Sequence, residues 1–130
     1  MITAYICSPY RAKTKEELKR NKKYAKMLTR TAIDSGIAPI TPHLYITKVT
    51  NDDKTEEREA GLRAGLELLL RCDVVLAGIK YGYSEGMREE IKLAHRKGIP
   101  VIEYEAFNNA DDFIEGIKRE AHKNKKAYFI

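Results

Sequence analysis

Two cysteines and three histidines, scattered along the chain, are too few and too far apart for a zinc centre, which needs clustered ligands. Cys7 and Cys72 stand in apolar company and form no CxxC pair. They read as buried, reduced thiols, the state that a reducing compartment maintains. No apolar run is long enough to span a bilayer. Met1 to Ser8 is a short apolar run without the basic lead-in of a secretory leader. A cytoplasmic location with no membrane partner is therefore expected. The chain also has no GxxxxGK[ST] loop and no GxGxxG after its first apolar run, which argues against kinase-type and dinucleotide chemistry. Hydrolase chemistry at a nucleophile elbow is not expected either. No metal and no cofactor are expected.

What is present is the balance of one soluble domain. The 130 residues are 43% hydrophobic and 33% charged, enough to bury a core within a single unit, residues 1–130. The formal net charge of +5 favours anionic ligands. The basic run Lys19, Arg20, Lys22, Lys23 and Lys26 alternates with Leu18, Tyr24 and Met27. It reads as the wet face of a helix rather than a surface for a nucleic acid polymer.

Short apolar runs alternate with longer amphipathic ones. Strands are expected at Ile2–Cys7, Ile37–Ile40, Asp73–Ile79 and Ile99–Ile102. Helices are expected at Thr14–Ser35, Glu56–Arg71 and Ser84–Lys97. Thr14 can cap the first helix, and Gly36 and Gly98 fall just past two helix ends. Leu62, Leu66 and Leu69 would share one side of the second helix, and Thr47–Thr55 reads as a loop. A last helix at Asn109–Lys123 and a short strand at Ala127–Ile130 complete the pattern. This alternation predicts an α/β fold: a flavodoxin-like three-layer sandwich around a parallel sheet of four to five strands. In such sheets ligands bind beyond the carboxyl ends of the strands, where strand order reverses. That rule points to Ser8–Lys13, Thr41–Thr55 and Lys80–Gly86.

The third helix carries the most chemistry. Ser84 can cap it, and Gly86 keeps its first turn open to an anion; an ordinary capped helix with a packing glycine fits equally. At about 100° per residue, Met87, Ile91 and Ala94 form an apolar stripe. Glu90 falls on that apolar side, while Glu85 and Glu89 fall on the opposite side. A carboxylate aimed at a sheet is costly unless partnered, so it marks either a reactive group or a structural one tied to a backbone N–H or to Tyr5. Arg11 could fork onto a phosphate or simply be exposed. His43, just past the second strand, is the histidine best placed for a site.

Ala4-Tyr-Ile-Cys7, Cys72-Asp-Val-Val-Leu-Ala77 and Ser84-x-Gly-Met-x-x-Glu-Ile91 together resemble the nucleoside 2-deoxyribosyltransferase superfamily. The resemblance spans about residues 2 to 102. That superfamily includes nucleotide N-glycosidases, and with Pro-His-Leu-Tyr45 and Glu57-Arg58 the pattern looks like an uncharacterised phage and bacterial branch of it. The resemblance implies Glu90 as the nucleophile that forms a covalent glycosyl-enzyme, with Tyr5 orienting it. It also implies a 5′-phosphate site at Ser84 and Arg11, with Ser8, His43, Gly86 and Met87 around the substrate. Where the family carries an acid on its second helix, spacing from Asp73 puts Gly65 here, which leaves Asp52, Asp53, Glu56 or Glu57 as other sources of that acid. Arg88 also replaces one glycine of the motif. The expected function is cleavage or transfer of the N-glycosidic bond of a nucleotide or nucleoside. The alternative is a non-catalytic module that binds a nucleotide or nucleotide sugar.

The resemblance further implies a homo-oligomer, with Tyr81 and Tyr83 in the loop before the third helix as contacts. Light scattering at high protein concentration is expected to give a mass above one chain; a monomer would contradict this.

Overall fold

A computed structural model of the protein describes residues 1–104. The elements run β1 (Thr3–Cys7), α1 (Lys15–Asp34), β2 (Ala38–Ile40), a 3₁₀ turn at Pro42–Leu44, α2 (Ile46–Val49), α3 (Thr55–Leu69), β3 (Val74–Gly78), α4 (Glu85–Arg96) and β4 (Val101–Tyr104). The expected helix at Asn109–Lys123 and strand at Ala127–Ile130 lie outside the described residues. The strands pair in parallel in the order β2-β1-β3-β4. The fold is flavodoxin-like, as the alternating pattern predicts.

Each helix forms where its sequence caps and stripes it. The Thr14 hydroxyl accepts from the Glu17 amide at 3.1 Å, and Glu16 and Glu17 lie at the positive end of α1. Gly36 and Gly98 adopt φ of +73° and +70° just past α1 and α4, a left-handed turn that favours glycine. Lys19, Arg20, Lys22, Lys23 and Lys26 of α1 are all exposed, while Tyr24, Leu28 and Ala32 pack with Ala4, Ile6, Val74 and Leu76 on one face of the sheet. On the other face Tyr5, Cys7, Val75 and Ala77 pack with Leu69, Met87 and Ala94. The period-2 alternation of the strands thus sorts one set of side chains to α1 and the other to α3 and α4.

β1 and β3 are also fastened at their amino ends. Asp73 Oδ2 accepts from the Thr3 amide at 2.9 Å, and the Asp73 amide donates to Thr3 Oγ1 at 3.1 Å. Asp73 is therefore structural and lies at the end of the strand away from the expected site. Pro39 sits within β2, which pairs with β1 alone among the described strands; an edge strand tolerates the missing N–H.

Three local expectations need correction. The stretch Thr47–Thr55 is not all loop, because Ile46–Val49 closes a short helix whose Ile46 packs close to Gly61 of α3. Leu62 is 58% exposed, whereas Leu69 is fully buried; α3 turns Gly61 and Gly65 toward its neighbours and carries Leu62 outward. The last described strand starts at Val101 rather than Ile99, since the Ile99 amide is taken by Ala94 O at the end of α4 and Pro100 has no amide.

Gly78 closes β3 under Tyr24. A Cβ there would sit 2.5 Å from Leu28 Cδ1 and 2.7 Å from Tyr24 Oη, both inside the packed core. Gly78→Ala should cost about 1–3 kcal/mol of stability, the usual penalty for overpacking. Gly86→Ala, with nothing within 4 Å of the added Cβ, should be neutral or stabilising by about 0.5–1 kcal/mol. Urea unfolding of the two variants checks both; similar losses would contradict the packing assigned to Gly78.

Candidate active site

The chain leaves β1 toward β2 on one side, and later enters β3 on the other side of β1. The crevice of the fold therefore opens beyond the carboxyl ends of β1 and β3. The loops that follow β1 and β3 leave the sheet at those ends, and α4 begins after the second of them.

Ser84 caps α4: its Oγ accepts from the Met87 amide at 3.2 Å, and the Ser84 amide reaches Met87 Sδ at 3.5 Å. The helix phase set by this cap decides where the glutamates go. Glu85 and Glu89 are exposed, and Glu90 turns toward the sheet. Glu90 is half-buried as a residue, but its Oε2 is shut off from solvent and has no hydrogen-bond partner among the described residues. Burial pushes its carboxyl up to about 7, and a hydrogen bond from the Tyr5 hydroxyl opposes part of that rise. Tyr5, 3% exposed, is itself held far above the ordinary phenol range, first by burial and then by the charge of Glu90. Burial and the Glu90 charge likewise raise the Cys7 thiol.

β1 is the hub of this arrangement. Its Cys7 Sγ donates to the Met87 carbonyl at 3.9 Å, which joins β1 to the first turn of α4. Tyr5 Oη lies 3.5 Å from the place where a Cβ would stand on Gly65 of α3. Gly65, where the resemblance leads one to expect an acid, thus faces Tyr5. Ser8 is 1% exposed and its Oγ has no partner among the described residues. Its carbonyl accepts from His43 Nε2 at 2.9 Å. That bond requires the proton on Nε2, and burial lowers the His43 pKa, partly offset by the same bond; the imidazole is neutral near pH 7.

Tyr5, Ser8, His43, Ser84, Met87 and Glu90 are therefore linked through β1 and the first turns of α4. Met87 is packed at 1% exposure in the core below the helix start, and Gly86 is exposed and unobstructed. Arg11 is placed differently. It is exposed, and its Nε lies 3.7 Å from Asp52 Oδ2, across the loop before α3.

Several contacts had no signal in the sequence. Tyr10 stacks on His43 with ring centroids 5.1 Å apart, and buried Asn21 of α1 donates to the Tyr10 carbonyl at 3.2 Å. Arg20 lies 4.0 Å over the Tyr81 ring, and Tyr24 meets that ring edge-on. Gly82-Tyr83-Ser84-Glu85-Gly86 also spells Gly-x-Ser-x-Gly, against the expectation that no hydrolase elbow is present. The backbone denies that role: Ser84 is extended at φ −82°, ψ 166°, not strained, and its Oγ serves as the helix cap.

Residues 2–104 match a family described as a domain of unknown function, DUF7768, and the chain belongs to that family. Among solved structures, a 2-deoxyribosyltransferase from the psychrotolerant bacterium Bacillus psychrosaccharolyticus is similar, with a TM-score of 0.64 and 18% identity over 79% of this chain and 72% of that one. That likeness establishes the shared fold. No curated protein matches the chain. Among the described residues no helix is long and apolar enough to cross a membrane, and no group of acidic, His or Cys side chains could hold a metal ion.

The raised Glu90 pKa fixes the sign of a pH effect. Its folded value of about 7 exceeds the ordinary 4.5, so folding favours the protonated carboxyl. The resulting stability is complete below pH 4.5 and is lost as pH rises through 7. Relative to Glu90→Gln, the unmodified protein should lose stability between pH 5 and pH 8 in urea unfolding. Parallel pH curves for the two proteins would contradict the burial of this carboxyl.

Proposed function

We propose that the protein cleaves or transfers the N-glycosidic bond of a nucleoside or nucleotide, with Glu90 as the nucleophile. The observation that carries this reading is the Glu90 carboxyl itself. It is desolvated, held by the Tyr5 hydroxyl on the α3 and α4 face of the sheet, and its Oε2 has no partner among the described residues. A carboxylate freed of its water shell is a stronger nucleophile toward an electron-poor anomeric carbon. Attack would form a glycosyl ester on Glu90 as the base departs, and water or a second base would then release the sugar, as in retaining glycosidases. Tyr5 would hold the carboxyl in place through its hydroxyl. The likeness in fold to a 2-deoxyribosyltransferase supports the class of bond.

On this reading Ser84, the open turn at Gly86 and the amides of the first turn of α4 receive the 5′ end of the substrate, and Ser8 and His43 border the sugar. For Arg11 to reach a 5′-phosphate it must leave Asp52. An exposed pair of this kind is worth only about 0–1 kcal/mol, so the exchange is inexpensive. The glycine at position 65, facing Tyr5, favours the second reading, a module that binds a nucleotide without cleaving it.

Base release from nucleotides, followed by chromatography, separates the two readings. Glu90→Gln should abolish turnover while leaving the fold intact. In the active protein kcat/KM should rise as pH increases through about 7, because only the carboxylate attacks. Binding without base release, equal in Glu90→Gln, would establish the module instead. Calorimetry should show a nucleoside monophosphate binding about tenfold or more tightly than its nucleoside, by about 1.4 kcal/mol. Arg11→Ala should remove most of that preference.

A further inference from the structure

An ordinary nucleobase leaves a sugar as a poor, anionic group unless an acid hands it a proton, a contribution of about 10²–10⁴ in rate. The titratable groups that surround Glu90 in the structure offer little toward that proton. β1 presents two titratable groups, Tyr5 and Cys7. The Tyr5 hydroxyl is engaged with Glu90 and held far from releasing its proton. The Cys7 thiol donates to the Met87 carbonyl and is also raised. β3 supplies apolar Val75 and Ala77 to the same face, and α4 itself adds Met87. α3 presents Gly65, with no side chain at all, 3.5 Å from Tyr5 Oη measured from where its Cβ would stand. His43 commits its Nε2 proton to the Ser8 carbonyl. Burial and the Tyr5 hydroxyl are what act on the Glu90 carboxyl.

The same geometry has a positive side. Glu90 Oε2 is buried without a partner among the described residues, and none of them offers the ionised carboxylate a counter-charge. A buried charge left alone is strongly unfavourable, and a cation placed against it would relieve that cost. Resting on the glycosidase reading above, we propose that the site takes a nucleotide whose leaving base already carries a full positive charge, a pyridinium or an N-alkylated purine. In the first step a Glu90 oxygen forms a bond to the anomeric carbon. The carbon–nitrogen bond breaks with its electron pair going to the ring, which leaves as a neutral base and needs no proton. In the second step water attacks the same carbon, the ester bond breaks to restore the carboxylate, and the proton from water passes to solvent.

The test uses the full chain with four probes: nicotinamide mononucleotide, N7-methylguanosine 5′-monophosphate, the reduced and uncharged form of nicotinamide mononucleotide, and deoxycytidine monophosphate. Free base is followed by chromatography. Release is expected from one or both charged probes, and at least about a hundredfold more slowly from the uncharged two, the lower bound for a missing general acid. Release from only one charged probe tells a pyridinium site from an alkylated-purine site. Glu90→Gln should silence it, with the fold checked by circular dichroism. Comparable rates on charged and uncharged probes, or release from the uncharged ones alone, would overturn this inference and leave the Glu90 glycosidase reading standing. No base from any of the four would overturn both.

Discussion

The carboxyl of Glu90, shut between α4 and the sheet, is the constraint on which the site depends. Burying an ionised carboxylate costs on the order of several kcal/mol. The fold carries that cost with one hydroxyl, from Tyr5, and by letting the pKa climb to about 7. A purely structural glutamate at this position would be served better by an apolar residue or by a full set of hydrogen bonds. Among the described residues Glu90 has neither, and its Oε2 has no partner there. Strain of this kind, kept in place by a well-packed core, is a common mark of a working site.

What keeps the carboxyl there is the sheet. Asp73 and Thr3 fasten β1 to β3 at the far end, and the register carries Tyr5 and Cys7 up to the crevice. Cys7 then meets the first turn of α4 through the Met87 carbonyl. Ser84 fixes the phase of that helix, so the turn from Glu89 to Glu90 is the turn from solvent to sheet. On the other face, Tyr24 and Leu28 fill the space above Gly78, and the Tyr24 hydroxyl accepts from the Lys80 amide at 3.2 Å. The loop that delivers α4 is therefore anchored to α1, and the two layers of the fold bear on one carboxyl.

Much of this was legible in the chain because it follows from local periodicity. The alternation of strands and helices predicts the parallel sheet, and the helical phase separates Glu90 from Glu85 and Glu89. Both depend on residues a few positions apart. The Tyr10–His43 stack, the bond from Asn21 to Tyr10 and the Arg11–Asp52 pair were not legible, since each joins segments whose meeting depends on how loops fold back. Leu62 misled because a leucine on a helical stripe is usually buried, whereas α3 uses its glycines for close approach and leaves Leu62 in solvent. The Gly-x-Ser-x-Gly spelling at Gly82–Gly86 carries the opposite lesson: a motif has meaning only with its backbone, and here Ser84 is a cap.

The central claim is that Glu90 becomes bonded to a sugar, and the bond can be trapped. A 2′-fluorinated nucleotide slows both steps of a retaining mechanism by disfavouring the oxocarbenium-like transition state. After incubation, acid quench and proteolysis, mass spectrometry should find the added sugar phosphate on the peptide that contains Glu90. The Glu90→Gln protein should carry none. Base release with no adduct, or an adduct on any other residue, would contradict the account.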